Sequence, residues 1–240
     1  MSRERYSRLA ASSGFIFILL FAIAFGGFIA PNAPKADAAA PDWASYYVNH
    51  QSRIQAGLAI LCVAIFAFLW FLGNVRERLA AAEGNGERLT AIAFGGGLMV
   101  VVFAFLTITA TAVAAFRPGD TSPEITQAFN DFGLLSGAAG AAATAAFFGP
   151  AAIIGYRHNA YAPPIAGFCA LAAVTAPLTI PIVTTDSGVF APDGALGLYI
   201  PVLTFLIGSI ALAIGVYRPM PPPPVDRRRD YRRPKPVPPA

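Results

Sequence analysis

Charged side chains are scarce in this sequence. Asp, Glu, Lys and Arg together make up 12% of its 240 residues, whereas soluble domains carry about 25%. Hydrophobic residues make up 56%, and the mean hydropathy is +0.58. A soluble domain keeps its charged residues on a hydrated surface, and this chain has too few for one. The composition therefore excludes an ordinary soluble domain and favours a chain embedded in lipid.

Residues that hold metals or form disulfides are also rare. The two cysteines, Cys62 and Cys169, each lie inside an apolar run, so neither a disulfide framework nor metal-ligand spacing follows. The two histidines, His50 and His158, are expected at opposite faces of the membrane and cannot share a site. No nucleophile–base pattern is recognisable. We therefore expect no cofactor and no enzymatic activity.

Six apolar runs are long enough to span a bilayer, which takes about 20 residues. None of them contains Asp, Glu, Lys or Arg. They predict an all-α, polytopic bundle of six transmembrane helices within a membrane domain of residues 14–216. The predicted spans are Gly14–Ala30, Ile54–Leu72, Ala91–Phe116, Phe132–Gly155, Pro164–Ile182 and Leu198–Val216.

Basic residues are distributed unequally between the two sets of loops. One set, which includes both termini, holds 14 of the 17, and the other holds only Lys35, Arg53 and Arg117. By the positive-inside rule, both termini are cytoplasmic, residues 1–13 form a basic cytoplasmic segment, and the protein lies in a bacterial plasma membrane.

The first apolar run has two interpretations. It follows "MSRERYSR" and precedes "PKADAAAP", in which Ala36–Asp37–Ala38 fits the cleavage pattern of a secretory signal. The run is long for a signal peptide, which favours an uncleaved anchor. Cleavage would leave five spans and the same cytoplasmic C-terminus.

Small residues and prolines mark special positions in the spans. Gly133, Gly137 and Gly140 give span four a surface on which helices approach closely, so we expect it at the bundle centre. A substrate path along this face is the alternative. The prolines predict kinks, with Thr175 or Thr179 bonding the local carbonyls; broken helices that bind ions are the alternative. These prolines are Pro150, Pro177, Pro181 and Pro201.

Three predicted outer helices share a proline followed by an acid, as in Pro41-Asp42, Pro123-Glu124 and Pro192-Asp193. Proline suits the first helical turn, and an acid there favours the positive end of the helix dipole. Ahead of span two, Trp43, Tyr46 and Tyr47 recur at helical spacing. This is typical of an interfacial turn that continues into the membrane.

The predicted outer loops and helix ends contain a set of polar residues that could form a vestibule for a cation or another ligand. Seven acids oppose three bases there, for a net charge of −4. We expect His50, Asp131 and Asp186 to lie in one vestibule; ordinary solvated loops and helix caps are the alternative. The full candidate set is Asn49, His50, Arg53, Asn130, Asp131, Asp186 and Asp193.

The C-terminal residues 217–240 are rich in proline and arginine and predict a disordered cytoplasmic tail. We expect its basic residues to bind anionic lipid headgroups. The alternatives are a polyproline motif for a protein partner, at Arg233, Pro236 and Pro239, or a topology signal only. The position of the charges beside the membrane gives no reason to expect nucleic acid. The predicted lipid-binding residues are Arg227, Arg228, Arg229, Arg232, Arg233 and Lys235.

The stretch "YYVNHQSRIQAGLAILCVAIFAFLWFLGNVRERLAAAEG", with the glycine-led span that follows, resembles a group of uncharacterised multi-pass membrane proteins common in actinobacteria. The resemblance covers roughly residues 40–216 and depends on the aromatic–apolar pattern and the "FLGNVRERL" helix exit. It implies no activity and no site residue. From the sequence we expect a membrane-embedded interaction or structural protein that engages lipid or a protein partner. A small-solute transporter or channel is the alternative. It ranks second because transport sites in membranes typically contain an ionisable group that faces a cavity, and none is evident in the spans.

Overall fold

The computed structural model describes residues 3–84 and 86–218, with side chains from Ser12 onward. It is 83% helical, and the described part of the chain contains no β-strand. Six helical segments within these residues are long and apolar enough to cross a membrane, which confirms the predicted all-α bundle. We number them spans 1 to 6: Ser12–Ile29, Ala40–Glu83, Arg88–Phe116, Pro123–His158, Pro163–Val183 and Ala195–Tyr217.

Seven α-helices and three shorter helical turns build these spans. The π-helical turns Ile23–Ile29 and Ala195–Tyr199 end span 1 and begin span 6, and the 3-10 segment Ala176–Val183 completes span 5. The α-helices are α1 (Arg3–Ala22), α2 (Ala40–Glu83), α3 (Arg88–Phe116), α4 (Pro123–Ala139), α5 (Ala141–His158), α6 (Pro163–Thr175) and α7 (Ile200–Tyr217).

The spans form a closed ring in chain order. Each of α1, α2 and α3 packs against the next helix along the chain, α3 also packs against α5, α5 packs against α6, and α6 against α7. The ring closes because α1 packs against both α2 and α7. Helix α2 also contacts α4 and α5 across the ring. A ring of this kind leaves room for a central cavity.

The interhelical loops gather at two ends of the ring. We call the end with residues 30–39, 117–122 and 184–194 the acidic end, and the end with residues 84, 86–87 and 159–162 the basic end. At the acidic end, the Ala36 N–H donates to Asp193 Oδ2 at 3.4 Å, and Gln51 Nε2 donates to the Phe116 carbonyl at 3.1 Å. At the basic end, Arg78 donates to the carbonyls of Ala160 and Arg218, at 2.8 and 3.1 Å. Each set of loops that the charge pattern grouped together thus lies at a single end.

Helix α2 is longer than its apolar core requires. Its 44 residues give a length of about 66 Å at 1.5 Å per residue, about twice the thickness of a hydrocarbon core. The helix bends at His50, where φ is −124° and ψ is 17°. Helix α2 is therefore long enough to extend beyond a membrane core.

The predicted proline–acid starts are correct for two helices and wrong for the third. Pro41 and Pro123 lie in the first turns of α2 and α4. Pro192 and Asp193 instead lie in a loop, and the helical part of span 6 begins at Ala195. This loop forms its own hydrogen bonds, since the N–H groups of residues 194 and 196 donate to the carbonyls of residues 191 and 189, both at 2.8 Å.

Span 4 is the most buried of the six, since 56% of the residues in its most apolar stretch are buried inside the bundle. A turn at Gly140 divides it into α4 and α5. A Cβ at Gly140 would lie 3.2 Å from Phe103 Cβ, and one at Gly133 would lie 3.4 Å from the Thr107 carbonyl oxygen. A Cβ at Gly137 would lie 3.8 Å from Thr107 Oγ1. The expected close helix contact thus exists at Gly133 and Gly140, but not at Gly137.

The prolines of span 5 coincide with a change of helix type. Pro177 and Pro181 both lie in its 3-10 segment. Thr175 Oγ1 donates to the Leu171 carbonyl at 2.9 Å, and Thr179 Oγ1 donates to the Ala176 carbonyl at 3.0 Å. The threonines therefore bond local carbonyls, as predicted.

Of the two terminal segments, the structure describes residues 3–11 as backbone and the C-terminal segment only as far as Arg218. Helix α1 begins at Arg3, well before the predicted start of the first span. The predicted lipid-binding residues, Arg227 to Arg229, Arg232, Arg233 and Lys235, lie outside the described residues.

Candidate functional site

A cavity of about 360 Å³ opens at the acidic end, and we call it the mouth cavity. It lies among the acidic-end parts of spans 1, 2, 3, 4 and 6. The kinked first turns of α2 contribute three aromatic side chains to its wall, and α4 contributes Asn130. Its polar and aromatic lining includes Lys35, Trp43, Tyr46, Tyr47, Asn130 and Asp193.

A second cavity, of about 290 Å³, lies deeper in the ring, and we call it the central cavity. Its wall is mostly phenylalanine and aliphatic side chains, and none of the described residues that line it is ionisable. Gly137 also lines it, which explains why this glycine makes no close helix contact. The phenylalanines are Phe17, Phe21, Phe25, Phe68, Phe103 and Phe205.

The mouth cavity and the central cavity adjoin. Phe25 of span 1 and Thr107 of span 3 line both of them. Their volumes are close to the lower limit for small-molecule sites, which have volumes of roughly 300–1,000 Å³. The mouth cavity, which contains charged and polar side chains, thus lies next to the mostly apolar central cavity.

A third cavity, of about 430 Å³, lies beside the mouth cavity, and we call it the side cavity. Asp37, Asp131 and Asp186 line it. It shares Ala36, Leu134 and Pro192 with the mouth cavity. The two cavities thus form neighbouring basins at the acidic end.

Most polar side chains of the mouth cavity already have partners within the protein. The Tyr46 hydroxyl donates to the Ile29 carbonyl, and the Tyr47 hydroxyl donates to Asn130 Oδ1 at 3.0 Å. Thr107 Oγ1 donates to the Gly133 carbonyl at 3.0 Å, and Thr111 Oγ1 donates to the Thr107 carbonyl at 2.9 Å. Four hydroxyl donors are thereby engaged.

Two buried N–H donors of the mouth cavity lack a partner among the described residues. Trp43 is 6% exposed and Asn130 is 7% exposed. Trp43 Nε1 and Asn130 Nδ2 have no hydrogen-bond partner among the described residues. Buried polar groups almost always have a partner, so these two N–H groups mark a place where water or a ligand binds.

The basic half of the bundle is closed by packing. Phe71, Phe147 and Phe148 are fully buried there. A Cβ at Gly96 would lie 2.5 Å from the backbone nitrogen of Phe147, so spans 3 and 4 touch backbone to backbone. The bundle is therefore closely packed in this half.

A tyrosine stabilises the loop that follows span 4 at the basic end. Tyr161 packs against Gly155 and Gly215, and its hydroxyl donates to the Ala151 carbonyl. Burial raises the pKa of Tyr161 above its usual value. The phenol consequently stays protonated and keeps this hydrogen bond.

The predicted vestibule residues divide into groups. Asn130 and Asp193 line the mouth cavity, and Asp131 and Asp186 line the side cavity. His50 lines neither cavity and packs edge-on against Tyr46, with 5.3 Å between ring centroids. Asp131 and Asp186 thus line one cavity, and His50 contacts a tyrosine of the neighbouring mouth cavity.

The other two predicted residues have structural contacts. Asn49 is exposed and donates to Ser45 Oγ at 3.1 Å. Arg53 holds the end of span 1 through the Pro31 carbonyl. Neither lines the mouth cavity or the side cavity.

Sequence reasoning missed the inward orientation of Trp43, Tyr46 and Tyr47. Their spacing was recognised and an interfacial turn was expected, but the burial of all three side chains inside the bundle was not. It also missed the phenylalanines of span 1. The available signal was a row of them at positions 17, 21 and 25, spaced to share one helix face.

Comparison with known proteins finds no matching family model, no similar curated protein and no similar solved structure. No group of three His, Cys, Asp or Glu side chains in the described part of the chain is arranged to hold a metal ion.

Proposed function

We propose that this chain is a multi-pass membrane protein that binds a small amphiphilic or apolar molecule through its acidic end. The observation that carries the proposal is the junction of the mouth cavity with the central cavity at Phe25 and Thr107. A ligand with a polar end and an apolar chain matches this change of surroundings. The proposal is closer to the solute-handling alternative drawn from the sequence than to a purely structural role.

The lining favours binding of apolar groups over passage of ions or polar solutes. Phe68 and Phe205 line the central cavity, and their ring centroids are 6.5 Å apart. Transferring an unpaired charge into such surroundings is strongly unfavourable. An alkyl chain instead gains about 0.8 kcal/mol for each methylene group removed from water. We propose binding, not catalysis, as the role of this site.

We further propose that the acidic end faces outward from a bacterial plasma membrane and that both termini are cytoplasmic. The support is the distribution of basic residues, with 14 of 17 on the side of the termini. In this orientation the mouth cavity receives its ligand from the outer leaflet or from outside the cell. The tail would then lie against the anionic inner leaflet, where its six basic residues favour lipid binding, and a cytoplasmic protein partner remains a second proposal for it.

The two tryptophans allow a direct test of binding. Trp43 lines the mouth cavity, whereas Trp70 is 48% exposed on the outside of the bundle. In Trp70→Phe protein, decyl bromide should quench Trp43 fluorescence with saturation, and decane should reverse the quenching. In Trp43→Phe protein, Trp70 should show only non-saturating quenching, because it reports partition into the surrounding detergent or lipid.

A cavity-filling variant provides the matched control. Gly137→Leu places a side chain into the central cavity and should abolish the saturable quenching of Trp43. Gly95→Leu adds the same side chain at a position where a Cβ meets nothing within 4 Å, and should leave it intact. Non-saturating quenching of Trp43, unchanged by Gly137→Leu, would overturn the proposed function.

A further inference from the structure

Four hydroxyls of the mouth cavity donate to partners within the protein, whereas two buried nitrogens do not. The Tyr46, Tyr47, Thr107 and Thr111 hydroxyls donate to oxygens of the chain. Trp43 Nε1 and Asn130 Nδ2 donate to none of the described residues. An indole N–H and an amide NH₂ are donors only. The ligand that completes this site must therefore supply acceptors.

Tyr47 contacts both residues that carry these donors, and all three line the mouth cavity. Its ring centroid lies 6.4 Å from that of Trp43, and its hydroxyl donates to Asn130 Oδ1 at 3.0 Å. Because Oδ1 is occupied by Tyr47, the Asn130 amide is oriented with its NH₂ group as the free end. Tyr47 thus acts as a positioning residue for Asn130.

The charges nearby argue against a charged ligand head. Lys35 and Asp193, of opposite sign, both line the mouth cavity. The adjoining side cavity presents Asp37, Asp131 and Asp186, which disfavour an anion. A cation would face two N–H donors in the buried wall, and the exposed Asp193 carboxylate is offset by the exposed Lys35 ammonium. An uncharged head avoids both penalties.

We propose that the site binds an amphiphile whose polar end is an uncharged oxygen acceptor, such as an ester or ketone, held by Asn130 Nδ2 and Trp43 Nε1, with its apolar chain in the central cavity. This inference rests on the proposed function, because it assigns the ligand class of the same site. In the absence of ligand, water satisfies the two donors. An ester offers two oxygens and can replace that water without losing hydrogen bonds.

Competition among ligands that share one chain tests the head group. In Trp70→Phe protein, methyl decanoate should displace decyl bromide at a concentration about tenfold lower than decane does, as expected for buried donors that gain an acceptor. Decanoate anion and decylammonium should displace it no better than decane. If decyl bromide binds saturably but methyl decanoate and decane compete equally, the head-group inference fails while the proposed function stands. If decyl bromide never saturates, the proposed function itself fails.

Two variants of one residue test the role of Asn130. Asn130→Leu removes the donor and should weaken methyl decanoate about tenfold while leaving decane unchanged. The unchanged decane affinity reports an intact cavity. Asn130→Asp replaces the NH₂ donor by an acceptor of similar shape, and should favour decylammonium over methyl decanoate. Retention of the ester preference in both variants would overturn the assignment of Asn130.

The indole donor has its own spectroscopic readout. Trp70→Phe protein labelled with nitrogen-15 contains one indole N–H group. Methyl decanoate should move its proton resonance downfield, as hydrogen bonding to a carbonyl oxygen does, and decane should not. An identical spectrum with both ligands at saturation would remove Trp43 from the site.

Discussion

The Tyr47 hydroxyl donates to the Asn130 amide oxygen at 3.0 Å, joining two buried side chains that are 83 positions apart in the chain. This bond links the first turns of α2 to α4 across the acidic end of the ring. It also occupies the oxygen of the Asn130 amide and leaves Nδ2 without a hydrogen bond to the described residues. One hydrogen bond thus serves both the packing of the bundle and the chemistry of its binding site.

Replacement of Tyr47 by Phe should destabilise the protein by about 1–3 kcal/mol, because it leaves a buried amide oxygen without its donor. Thermal unfolding in detergent, followed by circular dichroism, measures the change. Tyr217→Phe is the control, since Tyr217 is 52% exposed. Equal stability of Tyr47→Phe and wild type would mean that water replaces the lost donor at no cost.

Two adjacent glycines of α3 should respond differently to the same substitution. Gly96→Ala should cost about 1–3 kcal/mol through overpacking, because the new Cβ would lie 2.5 Å from a backbone atom of α5. Gly95→Ala should be neutral or slightly stabilising, since nothing lies within 4 Å of its Cβ position. Unfolding of both variants in one detergent compares them. Similar stabilities would refute the backbone contact between spans 3 and 4.

Span 1 should remain in the mature protein. Gly57 closely faces Phe28, with 2.8 Å from a built Cβ, and the Tyr46 hydroxyl donates to the Ile29 carbonyl. Cleavage after Ala38 would remove these contacts and one wall of the central cavity. Intact-mass analysis of protein purified from its own membrane should therefore include residues 1–38. A mass that begins after Ala38 would establish the signal-peptide alternative.

The acidic end should be accessible from outside the cell. In protein with Cys62 and Cys169 replaced by Ala, a cysteine at Ser187 should react with a membrane-impermeant maleimide in whole cells. A cysteine at Ala81, near the basic end, should react only after the cells are opened, because the basic residues favour the cytoplasm there. The reverse pattern would invert the topology and place the mouth cavity on the cytoplasmic side.

A peptide of residues 217–240 should bind vesicles that contain anionic lipid and not neutral ones. Raising the salt concentration from roughly 0.1 M to roughly 0.5 M should release it, because the Debye length shortens. The physical reason is the cluster of six basic residues, Arg227 to Arg229, Arg232, Arg233 and Lys235. A peptide with these six replaced by Gln is the control. Salt-insensitive binding, or equal binding to both vesicles, would contradict the electrostatic interpretation.

The sequence alone determined the number of spans and the grouping of their loops. Both depend on local composition: an apolar run without charges must be shielded from water wherever it lies, and a cluster of basic residues favours one side regardless of packing. The turns at Pro41 and Pro123 also follow from local chemistry, since proline suits the first turn of a helix. Pro192 has the same local pattern, but it lies in a loop with its own hydrogen bonds, and the helical part of span 6 begins after it.

The tertiary structure alone decided which faces of the helices point inward. In a soluble protein an apolar stripe identifies the buried face, but lipid is as apolar as the bundle core. Trp43 and Trp70 therefore look alike in sequence, yet one lines the mouth cavity and the other is exposed on the outside. Gly137 and Gly140 are also indistinguishable in sequence. A Cβ at Gly137 would lie 3.8 Å from its nearest neighbour, whereas one at Gly140 would lie 3.2 Å from Phe103 Cβ. The cavities exist because of this choice of faces, which depends on contacts between distant helices.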